Sequence, residues 1–163
     1  MQALHQRIRS RRQRLLVPVA ALVVALAAVA CLPTGPGDPV SPHGVVGQIN
    51  AQRGAHGRAG LAEDPQLTAL AQAWADHLAA VGGLAHQDLG ALINWEVMRG
   101  WRRLTENLFV GSDGVTNGAV VNTWMGSGPH ADNVLDSSVN RVGVGVAYDG
   151  AGHVYVVADF GLR

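Results

Sequence analysis

Few side chains in this chain are able to do chemistry: seven histidines, twelve acids and a single cysteine. Neutral imidazole moves protons near neutral pH or binds a divalent metal, so the histidines come first. His86 follows Gly82-Gly83, and His130 follows Pro129. His77 lies beside Leu78 in a helical stretch and reads as a surface residue. His43, His56 and His153 fall in or near loops and show no partner in the sequence. No serine sits in a recognisable nucleophile motif served by a histidine and an aspartate, so a Ser-His-Asp hydrolase is not expected. The cysteine is Cys31. With no second thiol, neither a disulfide framework nor a cysteine zinc ribbon is possible.

The start of the chain is organised differently from the rest. Its first fourteen residues hold five arginines (Arg7, Arg9, Arg11, Arg12, Arg14) and no acid, and sixteen uncharged residues follow, Leu15 to Ala30. A basic stretch before an apolar run of this length reads as a secretory signal over 1–31. It is shorter than the about 20 apolar residues a spanning helix needs. The run ends at Ala28-Val29-Ala30-Cys31, which resembles the bacterial lipobox, although Ala28 stands where that pattern prefers leucine. The resemblance implies lipid modification at Cys31 and attachment to a membrane. Plain secretion and an uncleaved signal-anchor are the alternatives. Residues 32–43 include Pro33, Gly35, Pro36, Gly37, Pro39 and Pro42, a composition that favours an extended tether of roughly 30 Å.

From residue 32 onward the chain carries seven arginines against twelve acids, a net charge of −5 with histidine neutral. Such a surface gives no reason to expect nucleic acid, whose binding rests on clustered positive charge. Residues 44–163, about 120 in all, match one domain with one core.

Helical patterns come first in that domain. Val45 to Ala55 is expected to form a helix burying Val45, Val46 and Ile49. The next is the clearest: Asp64 is a good N-cap, Pro65 suits the first turn, and Gly82-Gly83 stops it. Leu67, Leu70, Ala71, Trp74, Leu78 and Val81 recur between them at helical steps. Burying each large side chain of that stripe stabilises by about 1.5–3 kcal/mol. A third helix is expected over Leu89–Trp101 and a fourth over Thr116–Met125.

The last quarter changes period. Val142, Val144, Val146 and Tyr148 alternate with Gly143, Gly145 and Ala147, which predicts a strand with one bulky and one bare face. The glycines imply that something packs closely on the bare side. Asp149-Gly150-Ala151-Gly152 is a turn, with Val154, Val156 and Phe160 on the returning strand. Leu108-Phe109-Val110 is a third strand candidate. Helices gathered on an antiparallel sheet make an α+β layered domain. The tryptophans Trp74, Trp95, Trp101 and Trp124 read as core and cleft walls.

Several segments together resemble one family. Asp64 to Ala75 is similar to the second helix of the CAP superfamily of cysteine-rich secretory, antigen and pathogenesis-related proteins, bacterial members included. Leu84-Ala85-His86 resembles its first histidine, and Thr105-Glu106-Asn107-Leu108 its Gly-Glu-Asn motif, with Thr105 in place of glycine. Trp124 to Leu135 resembles a bacterial motif, Trp-Met-x-Ser-Pro-Gly-His-x-x-Asn, with Gly128 and Pro129 in swapped order. Arg141-Val142-Gly143-Val144-Gly145 and Ala158-Asp159-Phe160-Gly161 close the match. The resemblance implies a three-layer α-β-α sandwich around an antiparallel sheet of about three strands.

It also implies a cleft. In the family, two histidines and two glutamates line it, and His86, Glu106 and His130 match three of those positions while Ser127 takes the place of the second glutamate. Such a set could bind Zn²⁺ or another divalent cation, or form a His–Glu pair that moves protons. The same residues also have plainer readings: Glu106 accepting hydrogen bonds, His130 bracing a helix start, His86 on the surface. Asn133 would share a face with His130, bonding a ligand or the adjacent loop, and Asn107 could close the turn after Glu106. The functional expectation is an exported cell-envelope binding module holding a lipid or cell-wall ligand. A protein-interaction component without a ligand, and a metal-assisted hydrolase or peptidase, are the alternatives.

Overall fold

The computed structural model describes residues 39–163. The expected signal over 1–31, Cys31 as the expected lipidation residue and most of the expected tether lie outside the described residues. Among those residues, no helix is long and apolar enough to cross a membrane.

The two best-marked helices form where their caps place them. α2 spans Pro65–Val81, with the Asp64 carboxylate accepting from the amides of Gln66 and Leu67 and Gly82 closing it at φ +67°. α1 begins three residues earlier than the apolar pattern, at Pro42, and ends at Ala55. Ser41 caps it by accepting from the Gly44 amide. α4 (Asn117–Met125) is capped by Thr116, and α5 (Gly128–Leu135) follows at once. The long third helix does not form. Only α3, Leu89–Leu92, and a 3₁₀ turn at Glu96–Met98 appear in that stretch. The Asn94 side chain folds back onto the Gly90 carbonyl, the local competition that disfavours such residues inside helices.

Three strands run antiparallel: β2 (Arg103–Ser112), β3 (Arg141–Tyr148) and β4 (His153–Leu162). A fourth, β1, has only two residues, Ala62–Glu63, and pairs parallel to β3. The sheet order is β1-β3-β4-β2. The expected sheet is therefore present, one short strand larger, and β2 extends well beyond Leu108–Val110.

Alternation along the strands divides the core in two. Val142 and Val144 of β3, with Val154, Val156, Ala158 and Phe160 of β4, face α1, α4 and α5. Ala147, Tyr155 and Val157 face α2, meeting Ala71, Ala75 and Leu78. Helices on both faces make the α-β-α sandwich. Gly143 and Gly145 are bare because α2 lies against them: a Cβ on Gly143 would stand 2.6 Å from Leu67 Cβ. Trp124 is fully buried and Trp101 nearly so, but Trp95 is exposed, as is Val81 at the end of the α2 stripe.

β2 is an edge strand, and two of its outward carbonyls are nonetheless occupied. The Leu108 carbonyl accepts from Trp124 Nε1 at 2.8 Å, and that of Glu106 from Asn133 Nδ2 at 3.1 Å.

Candidate functional site

The candidate site forms where the loop after α2 crosses the start of β2. Glu106 and Asp159 are directly paired across β2 and β4, so both carboxyls point to the same face of the sheet, toward α2. Both are buried, Asp159 completely. Gln87 reaches down between them. Its Nε2 donates to Glu106 Oε2 at 2.7 Å and lies 3.3 Å from each Asp159 oxygen. The Gln87 amide also donates to Glu106 Oε1, at 3.2 Å.

His86 completes the cluster, with Nδ1 donating to Glu106 Oε1 at 2.6 Å. The histidine side chain is 61% exposed while that of Glu106 is wholly buried. A buried acid thus fixes the tautomer and direction of an exposed imidazole, leaving Nε2 to face outward. Asp159 is the more deeply buried acid of the pair. Burial foremost, and the neighbouring Glu106 charge second, push its carboxyl well above the usual range, with Gln87 opposing. Two like charges this close and this dry are avoided by one acid keeping its proton. The cluster joins one exposed imidazole to two buried carboxyls.

The other expected residues stand across the edge strand. Asn107 alternates to the opposite face and is buried, donating from Nδ2 to the His130 carbonyl at 3.0 Å. It therefore ties mid-strand to α5 instead of closing a turn. Asn133 donates to the Glu106 carbonyl and to Asn107 Oδ1, which is the bracing role. Ser127 occupies the N-cap position of α5 without a side-chain cap bond. His130, half-buried on α5, is engaged through its backbone carbonyl. The structure thus brings His86 and Glu106 together and places His130 with Asn133 on the other side of β2. Among the described residues, no three His, Cys, Asp or Glu side chains are grouped to hold a cation. Both Glu106 oxygens already accept hydrogen bonds, from His86 and Gln87.

Two residues of the site, Gln87 and Asp159, escape the sequence reading. Asp159 had a signal: an acid at the sheet-facing phase of the Val157-Asp159-Gly161 alternation. The histidines expected to lack partners have them. His43 Nδ1 meets Glu63 at 2.8 Å, His56 Nδ1 the Gln52 carbonyl at 2.8 Å, and His153 Nδ1 Asp149 at 2.7 Å. His77 is on the surface as expected, its ring stacked 4.7 Å from Trp74.

Beside Gln87 opens an apolar groove of about 310 Å³, walled by Leu70, Trp74, Ala91, Leu92 and Trp95. The polar cluster and this groove are contiguous through Gln87.

With this sandwich and cleft in view, comparison with known proteins gives the class. The sequence profile of the CAP group, the cysteine-rich secretory protein family, matches residues 46–160. The chain belongs to that family. No curated protein matches it in sequence. Among solved structures, an outer surface protein from Borrelia burgdorferi is similar at TM-score 0.65 and 18% identity, over 78% of this chain and 98% of that one. An extracellular SCP-domain protein from Bacillus anthracis is similar at TM-score 0.60 and 22% identity, over 75% of this chain and 41% of that one. NaASP2, solved with Zn²⁺, is similar at TM-score 0.55 and 15% identity, over 78% of this chain and 82% of that one. At these identities the likeness is one of fold.

Proposed function

We propose that this CAP domain is an exported cell-envelope binding module whose His86–Glu106–Gln87 cleft holds the polar end of a lipid or other small envelope ligand. The carrying observation is the exposed His86 ring anchored by a wholly buried carboxylate. Burying a charge is costly unless it is paired, and a surface histidine needs no such anchor for folding. The arrangement keeps a polar atom aimed outward at a fixed place. The groove beside Gln87 supplies apolar walls next to that atom, as a ligand with one polar and one apolar end requires.

Export is supported by the arginine-rich start and apolar run before Cys31. The names of two proteins of like fold, one an outer surface protein and one extracellular, agree with it. Attachment through a lipid at Cys31 is the finer form of this reading. Intact-mass measurement of the mature protein tests it, and a mass without a diacylglycerol-sized addition returns the reading to secretion. Divalent-cation binding would extend the same proposal: His86 Nε2 would be the first ligand, His130 would have to be recruited from across β2 as the second, and the cation would supply Lewis-acid polarisation of a bound polar group. Calorimetric titration of the full chain with Zn²⁺ should lose its heat in the His86→Ala, His130→Ala double variant. Unchanged heat places any cation elsewhere.

The main test is mass spectrometry of small molecules retained by protein extracted gently from its native host. A stoichiometric amphiphile, lost in Glu106→Gln, is the expected result. Protein that is folded and empty in every preparation overturns the binding reading and leaves a protein-interaction role.

A further inference from the structure

At the other end of β2, about 20 Å from Glu106 at 3.4 Å per strand residue, three side chains align across three neighbouring strands. Ser112 ends β2 and pairs directly with His153, the first residue of β4. Asp149 follows the last residue of β3, and its amide donates to the His153 carbonyl at 3.2 Å. Asp149, His153 and Ser112 therefore form one row across β3, β4 and β2, in that order. His153 and Ser112 project to the α2 face, in phase with Tyr155 and Leu108.

The ring is already oriented. His153 Nδ1 donates to Asp149 Oδ2 at 2.7 Å, which leaves Nε2 on the ring edge away from Asp149. The other aspartate oxygen, Oδ1, closes the turn by accepting from the amides of Ala151 and His153. One oxygen thus serves the hairpin and the other serves the imidazole. Burial pushes the Asp149 carboxyl up, but the bonds from the His153 amide and ring and the Ala151 amide hold it below its ordinary range. Directly paired residues have Cβ atoms about 4.5–5.5 Å apart, so the Ser112 and His153 side chains are direct neighbours across the β2–β4 pair. A bond from the Ser112 hydroxyl to the ring is not made in this structure. Serine–histidine bonds of this kind commonly tighten only around a substrate.

A cavity of about 570 Å³ adjoins the row, lined by Ser112 and His153 and by Gly82, Leu84, Val110 and Tyr155 among others. Gly83 lines it too, and the amides of Gly83 and Leu84 have no backbone acceptor among the described residues. No arginine borders it, so nothing there favours an anionic substrate.

We propose that Ser112, His153 and Asp149 form a nucleophile–base–orienter row that hydrolyses short-chain, uncharged carboxylic esters held in this cavity. Ser112 Oγ attacks the ester carbonyl carbon while His153 Nε2 takes the hydroxyl proton. The C–O bond to the alcohol then breaks, and His153 returns the proton to the leaving oxygen. Water, deprotonated by the same nitrogen, attacks the acyl carbon; the bond to Ser112 Oγ breaks, His153 returns the proton to Oγ, and the carboxylic acid leaves. Asp149 holds the imidazolium that forms in each half, and the Gly83 and Leu84 amides are the donors available to the oxyanion.

The inference is independent of the His86 cleft, and its test leaves that reading untouched. The full chain is treated with a fluorophosphonate probe and assayed with p-nitrophenyl butyrate. Expected is one covalent adduct, mapped to Ser112, with turnover about 100-fold or more lower in Ser112→Ala and His153→Ala, and free imidazole restoring part of the His153→Ala loss. Ser137→Ala should retain full turnover. Because Ser112 is exposed at a strand end, its variant is expected to melt as the parent does. An adduct at another residue, turnover in Ser112→Ala within threefold of the parent, or a natively melting parent with neither adduct nor turnover, would each overturn the proposal.

Discussion

Replacing Gly143 by alanine tests how tightly the α2 layer is seated on the sheet. The added Cβ would lie 2.6 Å from Leu67 Cβ and closer still to the Thr68 amide nitrogen, whereas ordinary contact begins near 3.4 Å. The obstacle is helix backbone, so no rotamer change relieves it. α2 must move outward by close to 1 Å, or β3 must bend. Overpacking by a methyl group costs about 1–3 kcal/mol. With backbone as the obstacle, the upper end applies, about 3 kcal/mol. For a domain of this size that lowers Tm by roughly 10 °C. Gly47 supplies the control, since it is exposed in the middle of α1 and a Cβ there meets nothing within 4 Å. Gly47→Ala should stabilise by roughly 0.5–1 kcal/mol through helix propensity alone. Urea titration followed by far-UV circular dichroism measures both. A Gly143→Ala cost below about 1 kcal/mol, or equal signs for the two variants, would refute the close seating of α2 and the explanation of the bare strand face.

The raised Asp159 carboxyl makes stability depend on pH. A group whose folded pKa exceeds its unfolded value near 3.9 contributes fully below that value, and the contribution is lost as pH rises through the folded pKa. Stability should therefore decline from about pH 4 upward on this account, and Asp159→Asn should flatten the slope; an unchanged slope in urea titrations across pH 4–9 contradicts the assignment. Arg53 is buried on α1 and donates to the carbonyls of Ala59, Val134 and Asp136. Arg53→Met leaves those acceptors bare and should cost at least about 2 kcal/mol in the same titration. Asp64→Ala removes the α2 cap and should cost about 0.5–2 kcal/mol, read as a shift in the denaturation midpoint at constant m.

How much of this was legible depends on whether the cause was local. α2 was readable because its start and stop are both written in neighbouring residues, Asp64-Pro65 and Gly82. The bare face of β3 was readable because glycine repeats at period two have few other uses. The stretch Leu89–Trp101 misled because its apolar residues keep a helical rhythm while Asn94 and the packing of Met98 and Trp101 against Leu67 draw it into turns. β2 looked three residues long because Thr105-Glu106-Asn107 breaks the apolar alternation. The break is where the site lies, and the Glu106 and Asn107 side chains there bond partners 19 to 26 positions away. The residues His86 and Glu106 could be grouped only by family resemblance, and Asp159 only by strand register. Register likewise assembles Asp149, His153 and Ser112, which no spacing rule would join. A chemical site spread over strands becomes visible when pairing is known.

The side-chain bonds on the outer rim of β2 bear on how copies of this protein behave beside one another. Ten residues of unpaired strand would offer a neighbouring molecule a ready template for growing the sheet. Trp124 and Asn133 occupy two successive acceptors on that rim, so an incoming strand would find those two middle rungs already filled. Loss of Asn133 would consequently show first as self-association at high concentration, before any change in melting. Two helices, α4 and α5, thus keep hold of the middle of this edge.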